Sequence, residues 1–290
     1  MNWPEVFGNT NPIHVEIGIG NGEYLVRQAK NFPDVNFVGI EQMWDRAQKA
    51  LKLFERERVS NVRVFMADAR IIFERFFLPQ TIAEIYSLFP CPWPKKKHTK
   101  HRLFSHDFLK LVNSRLKTDG VFRVVTDDAK YRDWILEQIP STGFVSNSEI
   151  ISAIHNTKYE RKWSAQGQKE FCALALQKKQ PADAAFKEDV DLEVRFVKNF
   201  APEKFVMKEQ KNDPLGISIV FKDFFYDADK KRAMVHLIVT EPNLAQHFWA
   251  HIAFSPKYKN WSINTLDGYT FIPSAGIARA LELIYESISA

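Results

Sequence analysis

The stretch that decides the fold is Ile13-His14-Val15-Glu16-Ile17-Gly18-Ile19-Gly20-Asn21-Gly22 and the residues that follow it, Glu23-Tyr24-Leu25-Val26. The apolar run 13–19 reads as a buried strand. The turn Gly20-Asn21-Gly22 follows, and a helix is expected from Glu23 to about Asn31, punctuated by Pro33. Glycines between a strand and a helix admit backbone angles closed to other residues and let the chain approach a ligand. The helix behind them presents N–H groups that have no partner within the helix.

The same alternation continues outward from this unit. Residues 36–41 (NFVGIE) read as a strand, 44–58 have helical periodicity, and 62–67 (VRVFMA) are again strand-like. A short helix at 71–77, a strand at 82–89 and a helix at 107–117 are expected next. The turn Thr118-Asp119-Gly120 then introduces a strand at 121–126, a helix covers 129–139, and runs at 144–150 and 169–177 read as closing strands. Strands and helices in strict alternation predict an α/β fold, a parallel sheet covered on both faces.

The pattern changes after Lys178–Asp189 (KKQPADAAFKED), which reads as a linker. Beyond it, 191–197, 216–225 and 233–240 are strand-like, a turn falls at Asp227–Lys231, and a helix runs from Ala275 to Ser287. The expectation is two domains, 1–180 and a smaller α+β extension at 181–290 with no legible role. Charge divides the same way. The net +5 is made of 27 basic against 20 acidic residues in 1–180 and 13 against 15 in 181–290. Attraction to a polyanion is therefore expected of the first part.

At 45% hydrophobic and 26% charged residues the chain reads as globular, and no apolar run approaches the roughly 20 residues of a membrane span. Met1 to Thr10 lacks the pattern of a signal peptide. Cys91 and Cys172 have no paired metal-ligand spacing, so a cytoplasmic protein without structural zinc is expected.

Three acidic residues fall at successive strand ends: Glu16, Glu41 and Asp68. In open α/β sheets that edge is where ligands bind. Glu41, 19 residues after Gly22, suits the ribose hydroxyls of a nucleoside, and Asp68 in Ala67-Asp68-Ala69-Arg70 suits an adenine amino group. Taken singly, each could instead be a helix-capping acid. The block Phe89-Pro90-Cys91-Pro92-Trp93-Pro94 is stiffened by three prolines, and residues 95–102 then carry five Lys or Arg and two His. The cations read as a solvated run or as phosphate contacts, and Trp93 as a base-stacking or a loop-packing residue.

The glycine loop resembles motif I of class I methyltransferases, whose ligand carries an ammonium and a sulfonium. The Pro90–Arg102 block is similar to the P-D-P-W-x-K-K-x-H-x-K-x-R segment of the bacterial tRNA (guanine-N7-)-methyltransferase family. The likeness runs from Phe7 to Leu176, about 60% of the chain, and includes Gly39-Ile40-Glu41, Asp68-Ala69-Arg70, Thr126-Asp127 and Thr157-Lys158-Tyr159-Glu160. It implies a Rossmann-like class I methyltransferase sheet and transfer of a methyl group from S-adenosylmethionine to N7 of the guanine at position 46 in the tRNA variable loop. Glu16, Gly18, Gly20, Gly22, Glu41, Asp68, Ala69 and Cys91 are then expected to hold the methyl donor. Lys95, Asp127, Thr157, Lys158, Tyr159 and Glu160 are expected to meet the RNA, with Cys91 and Asp127 at the reaction centre.

tRNA is the expected partner, with no metal, no membrane, and a monomer or homodimer. One position departs from the family. Cys91 stands where its pattern has Asp, and a thiol is a poor acceptor near neutral pH. A nucleophilic Cys91 is the alternative to an inert one; guanine N7 already has a lone pair and needs no covalent activation. Two other readings stay open, a methyltransferase of another RNA and a non-catalytic RNA-binding paralogue that keeps the cofactor pocket.

Overall fold

The computed structural model describes residues 1–168, 170–268 and 270–289. They divide into two compact units, 1–187 and 188–290. The first begins with a short helix α1 (Trp3–Phe7) that the sequence pattern did not announce. It continues β1 (Ile13–Ile17), α2 (Glu23–Asn31), β2 (Asn36–Glu41), α3 (Trp44–Arg56), β3 (Val62–Met66), α4 (Ala69–Arg75), β4 (Ile82–Leu88) and α5 (His106–Arg115). Then come β5 (Leu116–Thr126), α6 (Ala129–Gln138), β6 (Phe144–Ser152), α7 (Lys158–Ala165) and β7 (Glu170–Lys178). The expected start of the last strand, residue 169, lies outside the described residues.

These strands form one seven-stranded sheet in the order β3-β2-β1-β4-β5-β7-β6. The first five are parallel, while β7 runs antiparallel between β5 and β6. The α/β expectation holds, and the chain order reverses between β1 and β4, where ligands of such sheets bind. Val15, Val38, Ile85, Phe122 and Val124 are fully buried, as strands covered on both faces require. Residues 118–120 are a bulge inside β5 rather than a turn before it. Asp119 takes φ +43° there, and the register against β4 shifts between Ile82 and Glu84.

Residues 181–187, which composition assigns to a linker, are strapped to the first unit. The fully buried Arg115 donates to the carbonyls of Ala184 (3.1 Å) and Ala185 (2.8 Å) as well as to Phe73 O (2.8 Å). Asn113 Oδ1 accepts the Ala182 N–H at 2.8 Å, and Lys187 N–H reaches Glu74 O at 2.9 Å. A buried guanidinium must satisfy its donors internally, and a polar backbone segment supplies the carbonyls.

The second unit holds β8 (Arg195–Val197), β9 (Ser218–Asp227), β10 (Arg232–Glu241), β11 (Leu244–Ser255), β12 (Asn260–Thr265) and α8 (Ala275–Ser289). Its sheet is antiparallel throughout, in the order β8-β12-β11-β10-β9. Helix α8 covers one face, where Ile277, Leu281 and Ile284 meet Val235, Leu237 and Phe248 in a core. The strand expected at 191–197 shrinks to three residues, and β11 and β12 were not anticipated. Among the described residues no helix is long and apolar enough to cross a membrane.

Gly22, the residue before α2, shows why the loop is glycine-rich. It has φ +79°, and a Cβ there would meet the Phe54 ring at 2.7 Å and Ala50 Cβ at 2.9 Å. Gly18 has a similar φ of +80° but open space around it. Gly22→Ala is therefore expected to destabilise the 1–187 unit by about 2–4 kcal/mol, and Gly18→Ala by only about 1–2 kcal/mol. In calorimetric melts the first should lower the transition by roughly 5–15 °C. Equal losses would show that α3 yields and that crowding plays no part.

Candidate functional site

Strands β1, β2 and β3 lie side by side, so Glu16, Glu41 and Asp68 come together at their C-terminal edge. Glu41 is 6% exposed, which excludes the reading of an exposed capping acid. Its Oε2 accepts the Gly20 N–H at 2.9 Å, and its Oε1 accepts Gln42 N–H (2.9 Å) and Met43 N–H (3.0 Å). One side chain thus ties the glycine loop to the turn entering α3. The Gly18 N–H adds a bond to Ile40 O at 2.8 Å.

Asp68 is the N-cap of α4, accepting the Arg70 N–H at 2.8 Å, which is why that helix starts at Ala69 and not at 71. Its second oxygen takes Gln42 Nε2 (2.8 Å) and Arg70 Nη1 (3.1 Å). Gln42 and Arg70 are members of this edge that sequence reasoning passed over. Ala69, beside the cap, is buried.

Glu16 differs from the other two. It is 3% exposed and its Oε2 has no hydrogen-bond partner in the protein. Burial pushes its carboxyl up to about 8, Arg27 opposes the shift, and the neighbouring Glu41 adds to it. A buried carboxylate oxygen without a donor fits a ligand that brings a cation, and the ammonium of S-adenosylmethionine is such a group.

The segment after β4 is held in a fixed shape. Phe89 (φ +55°) and Trp93 (φ +44°) are in the left-handed region. The indole of Trp93 packs on His98 and His101, with ring centroids at 5.7 and 5.2 Å, so loop packing is its observed role. Residues Lys96–His101 form a short 3-10 helix. Arg102 belongs to this scaffold as well. It donates to Pro92 O at 2.9 Å, and its guanidinium lies 4.9 Å over Trp134 and 5.4 Å over Tyr131. Lys95, Lys96, Lys97 and Lys100 face solvent, and so does the Cys91 thiol.

Asp127 follows β5, and it is not the cap of α6. Asp128 fills that role, its Oδ1 accepting the Tyr131 N–H at 2.9 Å. The Asp127 carboxyl is held above its usual range, chiefly by burial and further by Asp128, against a hydrogen bond to its own backbone and the charge of Lys162.

Thr157 and Glu160, expected to meet the RNA, are engaged with each other and with the preceding loop. Glu160 is 1% exposed; it accepts the N–H groups of Ile154 (3.1 Å), His155 (3.0 Å) and Thr157 (3.2 Å). Thr157 Oγ1 accepts the Glu160 N–H at 3.1 Å. The pair is a capping box opening α7, a helix whose T-x-x-E signature stands in the sequence. Arg27 fastens the preceding loop by donating to His155 O. Lys158 and Tyr159 remain exposed on this frame, and the Tyr159 ring lies nearly parallel to Phe89 at 6.4 Å, joining the segment to the 89–102 loop. Among the described residues no group of three or more His, Cys, Asp or Glu is placed to hold a metal ion.

The raised Glu16 carboxyl has a pH signature. Its folded pKa of about 8 lies above the ordinary 4.5, so its contribution to stability is complete below 4.5 and is lost as pH rises through 8. Glu16→Gln removes the titration. The melting temperature of the ligand-free variant, relative to wild type, is expected to climb by a few degrees between pH 5 and 9. A constant difference would mean that Glu16 is ionised throughout.

The comparisons with known proteins agree with this geometry. A family described as "Putative methyltransferase" matches residues 10–173. A tRNA (guanine-N(7)-)-methyltransferase of Chlorobium phaeobacteroides is 38% identical over 177 residues, covering 61% of this chain and 87% of that protein. One of Geobacillus thermodenitrificans is 40% identical over 183 residues, covering 60% and 83%. A third, of Thermotoga maritima, is 39% identical over 178 residues, covering 60% of this chain and 57% of that longer relative. With the match spanning the glycine loop, the acidic edge and the 89–102 loop, the chain belongs to the tRNA (guanine-N7-)-methyltransferase family.

Proposed function

We propose that this protein transfers the methyl group of S-adenosylmethionine to N7 of a guanine in tRNA, the one at position 46 of the variable loop. The observation that carries the reading is the buried, unpartnered Glu16 oxygen beside a glycine loop tied down by Glu41. Glu16 receives the ammonium, Glu41 the ribose hydroxyls and Asp68 the adenine amino group; Gly18, Gly20 and Ala69 leave room for the nucleoside, and Gly22 shapes the loop by admitting Phe54 of α3 beneath it. When bound, the cofactor supplies an electrophilic methyl carbon: the N7 lone pair forms the new C–N bond, and the sulfur keeps the electrons of the old one.

Guanine N7 is unprotonated at neutral pH, so no general base is required and the protein's task is alignment and exclusion of water. Asp127, half-buried and adjoining α6, is assigned the guanine's polar edge. An exposed thiol at Cys91 accepts hydrogen bonds poorly, so the orienting carboxylate of this site is that of Asp127. Lys95 and Lys158 meet phosphates, Tyr159 offers a ring beside Phe89, and Thr157 with Glu160 holds that strip in shape. A reaction on tRNA fits a cytoplasmic protein.

The test supplies labelled S-adenosylmethionine and unmodified tRNA carrying the variable-loop guanine. Label is expected at N7, with kcat/KM about 10- to 100-fold lower in Asp127→Ala, the loss of one hydrogen bond to a charged group. Glu41→Ala is expected to weaken cofactor binding by at least about tenfold on the same scale. Label at another atom would overturn the substrate assignment. A silent wild type made active by Cys91→Asp would overturn catalysis and favour a binding protein descended from an enzyme.

A further inference from the structure

Helix α8 packs on one face of the second unit's sheet; on the other, among the described residues, His236, Trp249 and His251 are part-exposed and Phe225 and His247 exposed. On that other face a row of rings crosses three strands. Phe225 of β9 lies against Trp249 of β11 with centroids 5.9 Å apart and planes 29° apart. Trp249 stacks on His236 of β10 at 4.7 Å and 14°, and His236 lies 5.8 Å from His247. Phe225 is 59% exposed and His247 is also exposed, so the row meets solvent. Apolar rings held side by side in water are costly for a surface that meets nothing.

The unit's formal charge is slightly negative, but its cations are not spread evenly. The turns β9–β10 and β11–β12 lie at the same end of the sheet, because Arg232 pairs with Ala253 and the Phe254 N–H reaches Lys231 O at 3.0 Å. That rim presents Lys230, Lys231, Arg232, Lys257 and Lys259, all exposed, against Asp227 and Asp229. Lys222 adds an exposed cation on β9, beside Asp223, whose Oδ2 lies 2.9 Å from His236 Nδ1. Phe225 stands two residues from the rim, about 7 Å along the strand, near the spacing of a base from its phosphate. Exposed rings beside a cationic rim are the chemistry of single-stranded nucleic-acid binding, where bases stack and phosphates are neutralised.

We infer that this face of the 188–290 sheet is a stacking platform for unpaired RNA, the occupant being a single-stranded part of the tRNA substrate. This rests on the proposed tRNA reading for the identity of the RNA, not for the surface itself. A base lies on the exposed Phe225 ring and along the solvent-facing edge of the Trp249–His236 stack, and the backbone runs along the Lys257–Lys259 rim.

The experiment uses the full-length protein, a fluorescein-labelled unstructured RNA dodecamer, the unmodified tRNA, and anisotropy titrations over a range of salt. Phe225→Ala is expected to weaken dodecamer binding about tenfold or more, as the loss of one stacked base does, and Phe225→Tyr to retain it. Lys257→Ala with Lys259→Ala should lower the salt slope by roughly one to two. S-adenosylmethionine affinity and melting temperature should not move, because Phe225 lies outside both cores. Ultraviolet cross-linking of the wild type should place nucleotide adducts on the 244–255 peptide.

Unchanged dodecamer binding in Phe225→Ala, with no adduct on that peptide, overturns the platform. So does a dimer in sedimentation that Phe225→Ala dissolves, since a second copy would then be the occupant. N7 methylation by wild type is scored separately. Methylation with Phe225-insensitive binding removes the platform and leaves the proposed function. Phe225-dependent binding of the dodecamer without methylation removes that function and leaves the platform.

Discussion

The bond from the Gly20 N–H to the Glu41 carboxylate is the constraint on which the site depends. Glycines that admit left-handed angles also admit many others, so the sequence G-x-G-x-G does not by itself specify one loop. Glu41 narrows the choice by bonding to Gly20 on one side and to the entry of α3 on the other. Gly22 then packs under Phe54, a side chain of the same α3. Loop, strand end and helix are therefore a single mechanical unit. A ligand bonding to the Glu41 oxygens competes with backbone N–H groups already there, so binding and loop shape are coupled through one carboxylate.

Glu16 sits one strand away and carries the opposite character. Glu41 is surrounded by donors, whereas one Glu16 oxygen has none. The charge of the neighbouring Glu41 adds to the effect of burial in holding the Glu16 carboxyl above its usual range. An arriving cation relieves both costs together. On the proposed reading, the positive charge of S-adenosylmethionine answers this unpartnered oxygen and a neutral nucleoside does not.

Much of the first unit was legible because its signals are local. The runs 36–41 and 23–31 have periodicity, length and punctuation in agreement, and they match the observed β2 and α2 residue for residue. What escaped depends on pairings distant in sequence. Arg115 reads as a surface cation on a helix until Ala184 and Ala185 arrive from 70 residues away to cap it. Thr157 and Glu160 carry a T-x-x-E spacing whose reciprocal bonds form only once the 154–157 loop folds back on α7. Asp127 and Asp128 are adjacent, and only the geometry assigns the cap to the second. Trp93 and Arg102, a ring and a cation in a basic block, turn out to be the loop's own framework. In each case residue type was read correctly and the partner was invisible.

The second unit shows the opposite failure, in which an average concealed a pattern. Twelve basic against fourteen acidic residues suggest no affinity for a polyanion. Screening, however, limits each exposed charge to its neighbourhood, about 8 Å at physiological ionic strength. A phosphate near the β11–β12 turn therefore senses Lys257, Lys259 and Arg232 rather than the net charge of the unit. Strand pairing is what gathers these cations: residues 230–232 and 257–259 are remote in sequence and become neighbours only when β10 and β11 zip together. The same pairing brings Phe225, His236 and Trp249 into one row, although they lie on three different strands. Alternation along each strand sends every second residue to the face that α8 does not cover. A sheet that needs only one face for its core is thus left with a second face whose composition stability does not dictate, and aromatic rings there call for a partner outside the fold.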